Sequence, residues 1–284
     1  GIGVSVSQSI ETGVITIVNP FENGPGYEAG MRKDDILFAV EGEEVTGQDI
    51  NSVVAKIKGE AGTTVDLTVY RPSTDEYIDM TVERRVVQNP TVTYEMKDGN
   101  IGYIQVTEFD EVTVEQFSTA ISDLQGQGMQ GLVVDLRDNP GGLLSSVCDM
   151  LDRILPEGNL LVYTMDKDGN REEHYAEDED SLDLPMIVLV NGNSASASEI
   201  FTAALQDYDK ATIMGTTTFG KGIVQVILPL DDGSAVKVTQ SQYYTPNGVC
   251  IHGEGVTPDI EVEYDASSEN DNQLDAALEQ MKTM

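Results

Sequence analysis

Two short apolar runs without polar alternation, Gly131-Leu132-Val133-Val134-Asp135-Leu136 and Pro185-Met186-Ile187-Val188-Leu189-Val190, constrain this chain most. A strand that is apolar on both faces is buried on both faces, and bringing the next strand in parallel takes a crossover, usually a helix. The runs therefore predict a largely parallel sheet covered by helices. Each is followed by small turn residues and then a helical stripe. Leu143, Leu144, Val147, Met150, Leu151 and Ile154 form the first stripe, which Pro156 ends, and Ile200, Phe201, Ala204 and Leu205 form the second. Ile101–Val106 reads as another strand, 114–124 as a helix, 223–228 as a strand and 274–281 as a short terminal helix or a tail.

The first part of the chain has a different texture. Strand candidates at 4–6, 14–18, 36–40, 65–70 and 77–82 are separated by Gly, Pro, Asn and Asp turns. Between them lies one helix, with Ile50, Val53, Val54 and Ile57 as its apolar positions and Gly59 as its stop. The pattern ends near Arg85 and is interrupted at Gln88-Asn89-Pro90. The expected fold is thus α/β, α+β overall, with a small β-rich domain at 1–86 and an α/β domain at 87–284. The acidic segment from Glu172 to Asp183 reads as a solvated loop.

Charge narrows the function classes. Lys and Arg number 16 against 50 Asp and Glu, a formal charge of −34. Such a field repels phosphate backbones, so no nucleic-acid partner is expected, and acidic peptides are disfavoured too. No stretch approaches the roughly 20 apolar residues of a spanning helix. Cys148 and Cys250 lie far apart without CxxC spacing, and His174 and His252 are the only histidines, so neither a metal site nor a cofactor is expected.

The second apolar run leads into Asn191-Gly192-Asn193-Ser194-Ala195-Ser196-Ala197-Ser198-Glu199 and a helix. Such a junction presents a hydroxyl beside free backbone N–H groups at the carboxyl edge of a sheet, where α/β folds place their chemistry. The serines are therefore candidate nucleophiles. Ser196-Ala197-Ser198-Glu199 also fits a capping box, the reading that the local sequence alone favours. A base is available in Lys221, which stands between Gly220 and Gly222 and ahead of an apolar strand. A lysine is a base only when uncharged, a state that desolvation favours. Gly215 to Lys221 has the spacing of a phosphate loop but is followed by Gly222 and a strand, which excludes that reading. A Ser-His-Asp arrangement using His252 is the other catalytic alternative, and the Ser-Lys reading stands ahead of it.

These residues resemble a known family. Asn193 to Phe201, with Phe219-Gly220-Lys221-Gly222 and Gln225, closely resembles the carboxy-terminal processing peptidases, or tail-specific proteases. Asp135-Leu136-Arg137-Asp138-Asn139-Pro140-Gly141-Gly142 resembles their oxyanion loop, and Gly253 to Ile260 their C-terminal signature. The resemblance implies a crotonase-like or ClpP-like serine endopeptidase domain with Ser196 as nucleophile, Lys221 as general base and Gln225 orienting the lysine. It implies an oxyanion hole from Ala197 and either Gly141 or Gly142, with Asp207 as a secondary acidic position.

Gly24 to Leu37 resembles the PAxxAGLxxGDxI segment of PDZ domains in bacterial proteases, from which Tyr27 and Asp34 depart. Gly1-Ile2-Gly3-Val4 resembles the PDZ carboxylate-binding loop, and Val53, Val54 and Ile57 would line the groove. Substrates would be peptide or protein C-termini, recognised by the PDZ domain and cleaved nearby. By the same resemblance, a homodimer, a membrane tether in the family's segment ahead of this loop and a site of action outside the cytoplasm are further expectations. The alternative is an inactive PDZ-bearing scaffold that binds tails without cutting them.

Overall fold

In a computed structural model of the chain, residues 1–21, 24–87, 90–179, 181–230 and 234–284 are described. The chain divides into two compact units, Gly1–Pro90 and Thr91–Met284. Gln88 and Asn89 of the expected interruption, and Asp180 of the acidic segment, lie outside the described residues.

The first unit holds β1 (Val4–Gln8), β2 (Ile15–Pro20), α1 (Pro25–Glu28), β3 (Ile36–Val40), β4 (Glu43–Glu44), α2 (Ile50–Ile57), β5 (Thr64–Arg71) and β6 (Glu76–Glu83). Its antiparallel sheet runs β1-β2-β3-β5-β6, with β4 paired to β3. The period-two pattern of β5, in which Val65, Leu67 and Val69 are buried, turns one face onto a core that includes Ile15, Ile17, Leu37 and Val82. Asp49 caps α2 by accepting from the N–H groups of Asn51 and Ser52, both at 3.1 Å. Asp35, almost fully buried, is held by a two-pronged contact from Arg71 at 2.7 and 2.8 Å.

The second unit holds β7 (Val92–Lys97), β8 (Ile101–Val106), α3 (Thr113–Gly126), β9 (Gly131–Asp135), α4 (Leu144–Asp152), β10 (Leu160–Asp166), β11 (Arg171–Tyr175), β12 (Met186–Val190), α5 (Ala197–Asp207), β13 (Thr212–Gly215), β14 (Ile223–Pro229), β15 (Ala235–Tyr244), β16 (Ile260–Glu261) and α6 (Asn272–Met281). Its main sheet runs β16-β13-β12-β9-β8-β7, parallel from β16 to β8 and antiparallel at β7. Every residue of β9 and β12 is buried, as their unbroken apolar runs require. Helices α3, α4 and α5 pack Phe117, Leu151 and Phe201 into a core on one face. The other face meets Ala277 and Met281 of α6. A second, antiparallel sheet runs β11-β10-β15-β14.

Two expectations need correction. Glu172 to Tyr175 is not loop but most of β11, an edge strand whose register pairs Glu173 with Tyr163. The adjacent Glu172 and Glu173 point to opposite faces and both reach solvent, because this edge strand is exposed on both faces. His252, the base of the alternative Ser-His-Asp reading, which the local sequence puts near the end of a strand, lies instead in an exposed turn after the bridge between Tyr244 and Cys250. Both cysteines are free, and burial pushes the Cys148 thiol up to about 12.

Candidate active site

The junction between β12 and α5 is a sharp elbow. Ser196 stands at φ +57° and ψ −113°, a left-handed conformation that a serine adopts only under constraint, and it is 9% exposed. The constraint is visible in its neighbours. Ser194 donates its hydroxyl to the Leu136 carbonyl at 2.7 Å and Ser198 to the Asn139 carbonyl at 2.9 Å, and both are fully buried. Their protons are committed to the backbone. The Ser196 hydroxyl donates to no described group. The three serines that local sequence left equivalent are thus sorted by their partners.

The loop after β9 is clamped to this elbow. Asp138, at φ +61°, accepts from the side-chain amides of Asn191 at 3.0 Å and Asn193 at 2.8 Å, which hold its carboxyl below the usual range. Asn139 accepts from the Ala195 N–H at 3.0 Å through its carbonyl and from the Gly141 N–H at 2.9 Å through its side chain. Gly141 (φ +102°) lies so close to the elbow that a Cβ there would sit 2.8 Å from Ser196 Cβ and 2.9 Å from the Ala197 nitrogen. At Gly142 (φ +149°) a Cβ would overlap the Phe109 carbonyl oxygen. With the Gly141 N–H taken by Asn139, those of Gly142 and Ala197 remain without an acceptor among the described residues.

Glu199 joins the remaining parts. Its side chain is fully buried, and Oε2 accepts from the Ser196 N–H and the Lys221 N–H, both at 2.8 Å. Oε1 accepts from the Gly220 N–H and the Thr218 hydroxyl, both at 2.6 Å. The capping arm expected from sequence is therefore present, but the same carboxylate also grips the lysine loop. Because one oxygen serves both, the backbone nitrogens of Ser196 and Lys221 lie no further apart than twice 2.8 Å. Four donors satisfy a carboxylate that could not otherwise be buried.

The C-terminal signature braces this loop from the other side. The Val256 N–H donates to Thr218 Oγ1 at 2.7 Å, the Thr218 N–H to the Val256 carbonyl at 3.1 Å, and the Gly253 N–H to the Gly220 carbonyl at 2.9 Å. Beneath the site, Arg137 bridges Asp135 at 2.6 Å and Asp271 at 2.7 Å, holding the Asp271 carboxyl below the ordinary range.

The other expected residues fall as follows. Lys221 is half-buried, and its amine makes no hydrogen bond or ion pair with a described residue, Ser196 included. Gln225 is exposed on β14 opposite Thr239, beside a bulge, and does not bond to Lys221. Asp207 ends α5, about 16 Å along the helix from Ser196 at 1.5 Å per residue, and accepts from the Asn247 N–H at 2.8 Å. It anchors a turn and is not beside the serine.

In the first unit, a cavity of about 490 Å³ has Ile2, Gly3, Val4, Phe21, Val54 and Ile57 among its lining residues, together with Gly1 and Lys58. The carbonyls of Ile2 and Gly3 are taken by the Gly26 and Phe21 N–H groups at 2.7 and 2.9 Å, while the N–H groups of Ile2 and Gly3 have no described acceptor. Val53 does not line this cavity. It is fully buried among the core residues, because Val53 and Ile57 share the inward stripe of α2 and Val54 is one position further round.

Comparison with known proteins agrees with this architecture. Residues 100–262 match peptidase family S41, and residues 16–71 match the PDZ domain. The chain belongs to peptidase family S41. It is 39% identical to the carboxy-terminal-processing protease of Bartonella bacilliformis, covering 93% of this chain and 61% of that protein. Against the carboxy-terminal processing protease CtpA of Bacillus subtilis the identity is also 39%, over 93% of this chain and 56% of the relative. The chain thus spans little more than half the length of these relatives. Among solved structures it is similar to the photosystem II D1 C-terminal processing protease, with a TM-score of 0.57 and 31% identity over 93% of this chain and 72% of that one. Glu199, which the sequence reading took only as a helix cap, and Thr218, which it left aside, both lie within the matched family segment. The signal that could have singled them out was a Glu and a Thr each three residues from a catalytic candidate, the Glu at a capping position.

Proposed function

We propose that this chain is a serine endopeptidase with a Ser196-Lys221 dyad that cleaves polypeptides near their C-termini, which its PDZ unit recognises. The observation that carries the reading is the shared Glu199 oxygen. It holds the backbones of Ser196 and Lys221 within the reach of a four-carbon lysine stem. In this reading, rotation of the lysine side chain brings the amine to the hydroxyl.

In this mechanism the neutral Lys221 amine takes the Ser196 proton as Oγ attacks a peptide carbonyl. The tetrahedral oxyanion is met by the N–H groups of Ala197 and Gly142, the pair left without acceptors. The Lys221 ammonium returns its proton to the departing amine, and water, deprotonated by the same lysine, releases the acyl group from Ser196. No metal or cofactor enters these steps.

The PDZ unit would take a terminal carboxylate on the Ile2 and Gly3 N–H groups and an aliphatic last side chain in the cavity between Val4, Val54 and Ile57. Action outside the cytoplasm and pairing of subunits are carried over from the family as part of this proposal. Among the described residues, no helix is long and apolar enough to cross a membrane.

The test is cleavage of an unstructured polypeptide with an aliphatic tail. The proposal expects turnover by the parent chain and none by Ser196→Ala or Lys221→Ala. Equal turnover by all three would refute it, and tail binding without turnover by the parent would favour the scaffold alternative.

A further inference from the structure

The edges of the three sheets differ in one respect. Of their end strands, β6 carries Glu76, Asp79 and Glu83, β7 carries Glu95 and Lys97, β11 carries Arg171, Glu172 and Glu173, and β16 carries Glu261. Only β1 and β14 have no charged residue. Charges on edge strands are the usual guard against unwanted pairing, since an edge presents unpaired backbone donors and acceptors. β1 borders the groove proposed above to take a tail. β14 has no such explanation.

The depletion extends beyond the strand. Between Lys210 and Gly253 the only carboxylates are Asp231 and Asp232, in a chain with 50 Asp and Glu, and the stretch also holds Lys221 and Lys237. The two lysines balance the two carboxylates, so this is a locally neutral region of a molecule whose formal charge is −34. It is also apolar where it meets water. In the antiparallel register Val226 faces Val238 and Leu228 faces Val236, which puts all four on one side of the hairpin. Leu228, Val236 and Val238 are 50%, 45% and 40% exposed. Among the described residues β14 pairs with β15 alone, so its outer edge is open. That edge starts two residues after Lys221, and Pro229 closes its far end.

We infer that the open edge of β14 is a second peptide-docking strand, on which an extended segment with aliphatic residues at alternate positions adds to the sheet and runs past Lys221. This rests on the peptidase reading of the second unit and deepens it. Main-chain bonds to residues 223–228 would hold the segment, and the Val226, Leu228, Val236 and Val238 surface would select its side chains. Six residues at about 3.3 Å each give an edge of about 20 Å. The missing carboxylates let a segment that ends in, or contains, an acidic group approach a molecule that otherwise repels it.

The experiment uses the full chain carrying Ser196→Ala, so that its outcome does not depend on whether Ser196 is the nucleophile. The probe is a fluorescent peptide of alternating Val and Thr with an amidated C-terminus, which gives the groove of the first unit no carboxylate to hold. Binding is read by anisotropy. Leu228→Glu or Val238→Thr, both at half-exposed positions, should weaken it at least 10-fold and 3-fold respectively with unchanged melting temperature. N-methylation of the peptide should weaken binding at every second residue only, because a strand edge bonds alternate residues. The inference is overturned by binding that neither substitution alters, by N-methyl effects without this alternation, or by concentration-dependent self-association that Leu228→Glu abolishes and peptide does not compete with.

Discussion

Glu199 sets the registry of the candidate site, because it holds the backbones of both Ser196 and Lys221. Its Oε2 accepts two backbone N–H groups, so a glutamine there would turn an NH2 toward donors or force the loop to move. Glu199→Gln is therefore expected to lower kcat at least 10-fold with little change in KM, and to cost about 1–3 kcal/mol in stability. Thr218→Val, which keeps the shape but loses one donor to Glu199 and the acceptor of the Val256 N–H, should have an effect of the same kind; steady-state kinetics and thermal melts check both. At Gly142, alanine would collide with the Phe109 carbonyl, so Gly142→Ala should abolish turnover. Single residues were only partly legible in the sequence. The motif pointed to Ser196 and Lys221, the pair proposed above as the dyad, but Ser194, Ser196 and Ser198 share one local context, and only hydrogen bonds to Leu136 and Asn139 set two of them apart. Asp207 matched a family position and proved to be a turn anchor, because eleven residues of helix carry it away from the elbow.

Elements were readable where one periodicity dominated. Unbroken apolar runs marked β9 and β12, and helical stripes marked α3, α4 and α5. β15 was missed because Ala235 to Gln240 are exposed on both sides, leaving no inside-outside alternation to detect. β13 was missed because it has only four residues. α5 positions the elbow and rests on Phe201, which is fully buried and 6.3 Å from Phe109 between ring centres. Phe201→Ala should cost about 3–5 kcal/mol, read from denaturant unfolding. α6 is held by Asp271, which caps it through the Leu274 N–H at 3.1 Å and pairs with Arg137. Since that pair depresses the Asp271 carboxyl, its stabilising effect is complete above the ordinary Asp range and is lost as pH falls below about 4. Asp271→Asn keeps a capping oxygen but should flatten part of the acid limb of the stability profile. Asp271→Ala should lose the cap as well, about 1 kcal/mol more.

At the scale of the molecule, net charge and local charge have different consequences. A formal −34 acts over the Debye length on encounter, so cleavage of an acidic tail should speed up as salt rises from 20 to 200 mM, whereas a neutral tail should change little. The division into a β-rich and an α/β unit was visible in the change of texture after Arg85. The bringing together of four distant motifs around Glu199 was not, since it depends on crossovers that set strands β9, β12 and β13 side by side. The most direct measurement of the central claim is to treat the chain with a fluorophosphonate, digest it and locate the adduct by mass spectrometry. The account predicts one adduct, on Ser196, formed at least 100-fold more slowly in Lys221→Ala. An adduct on Ser194 or Ser198, or a labelling rate indifferent to Lys221, would contradict it.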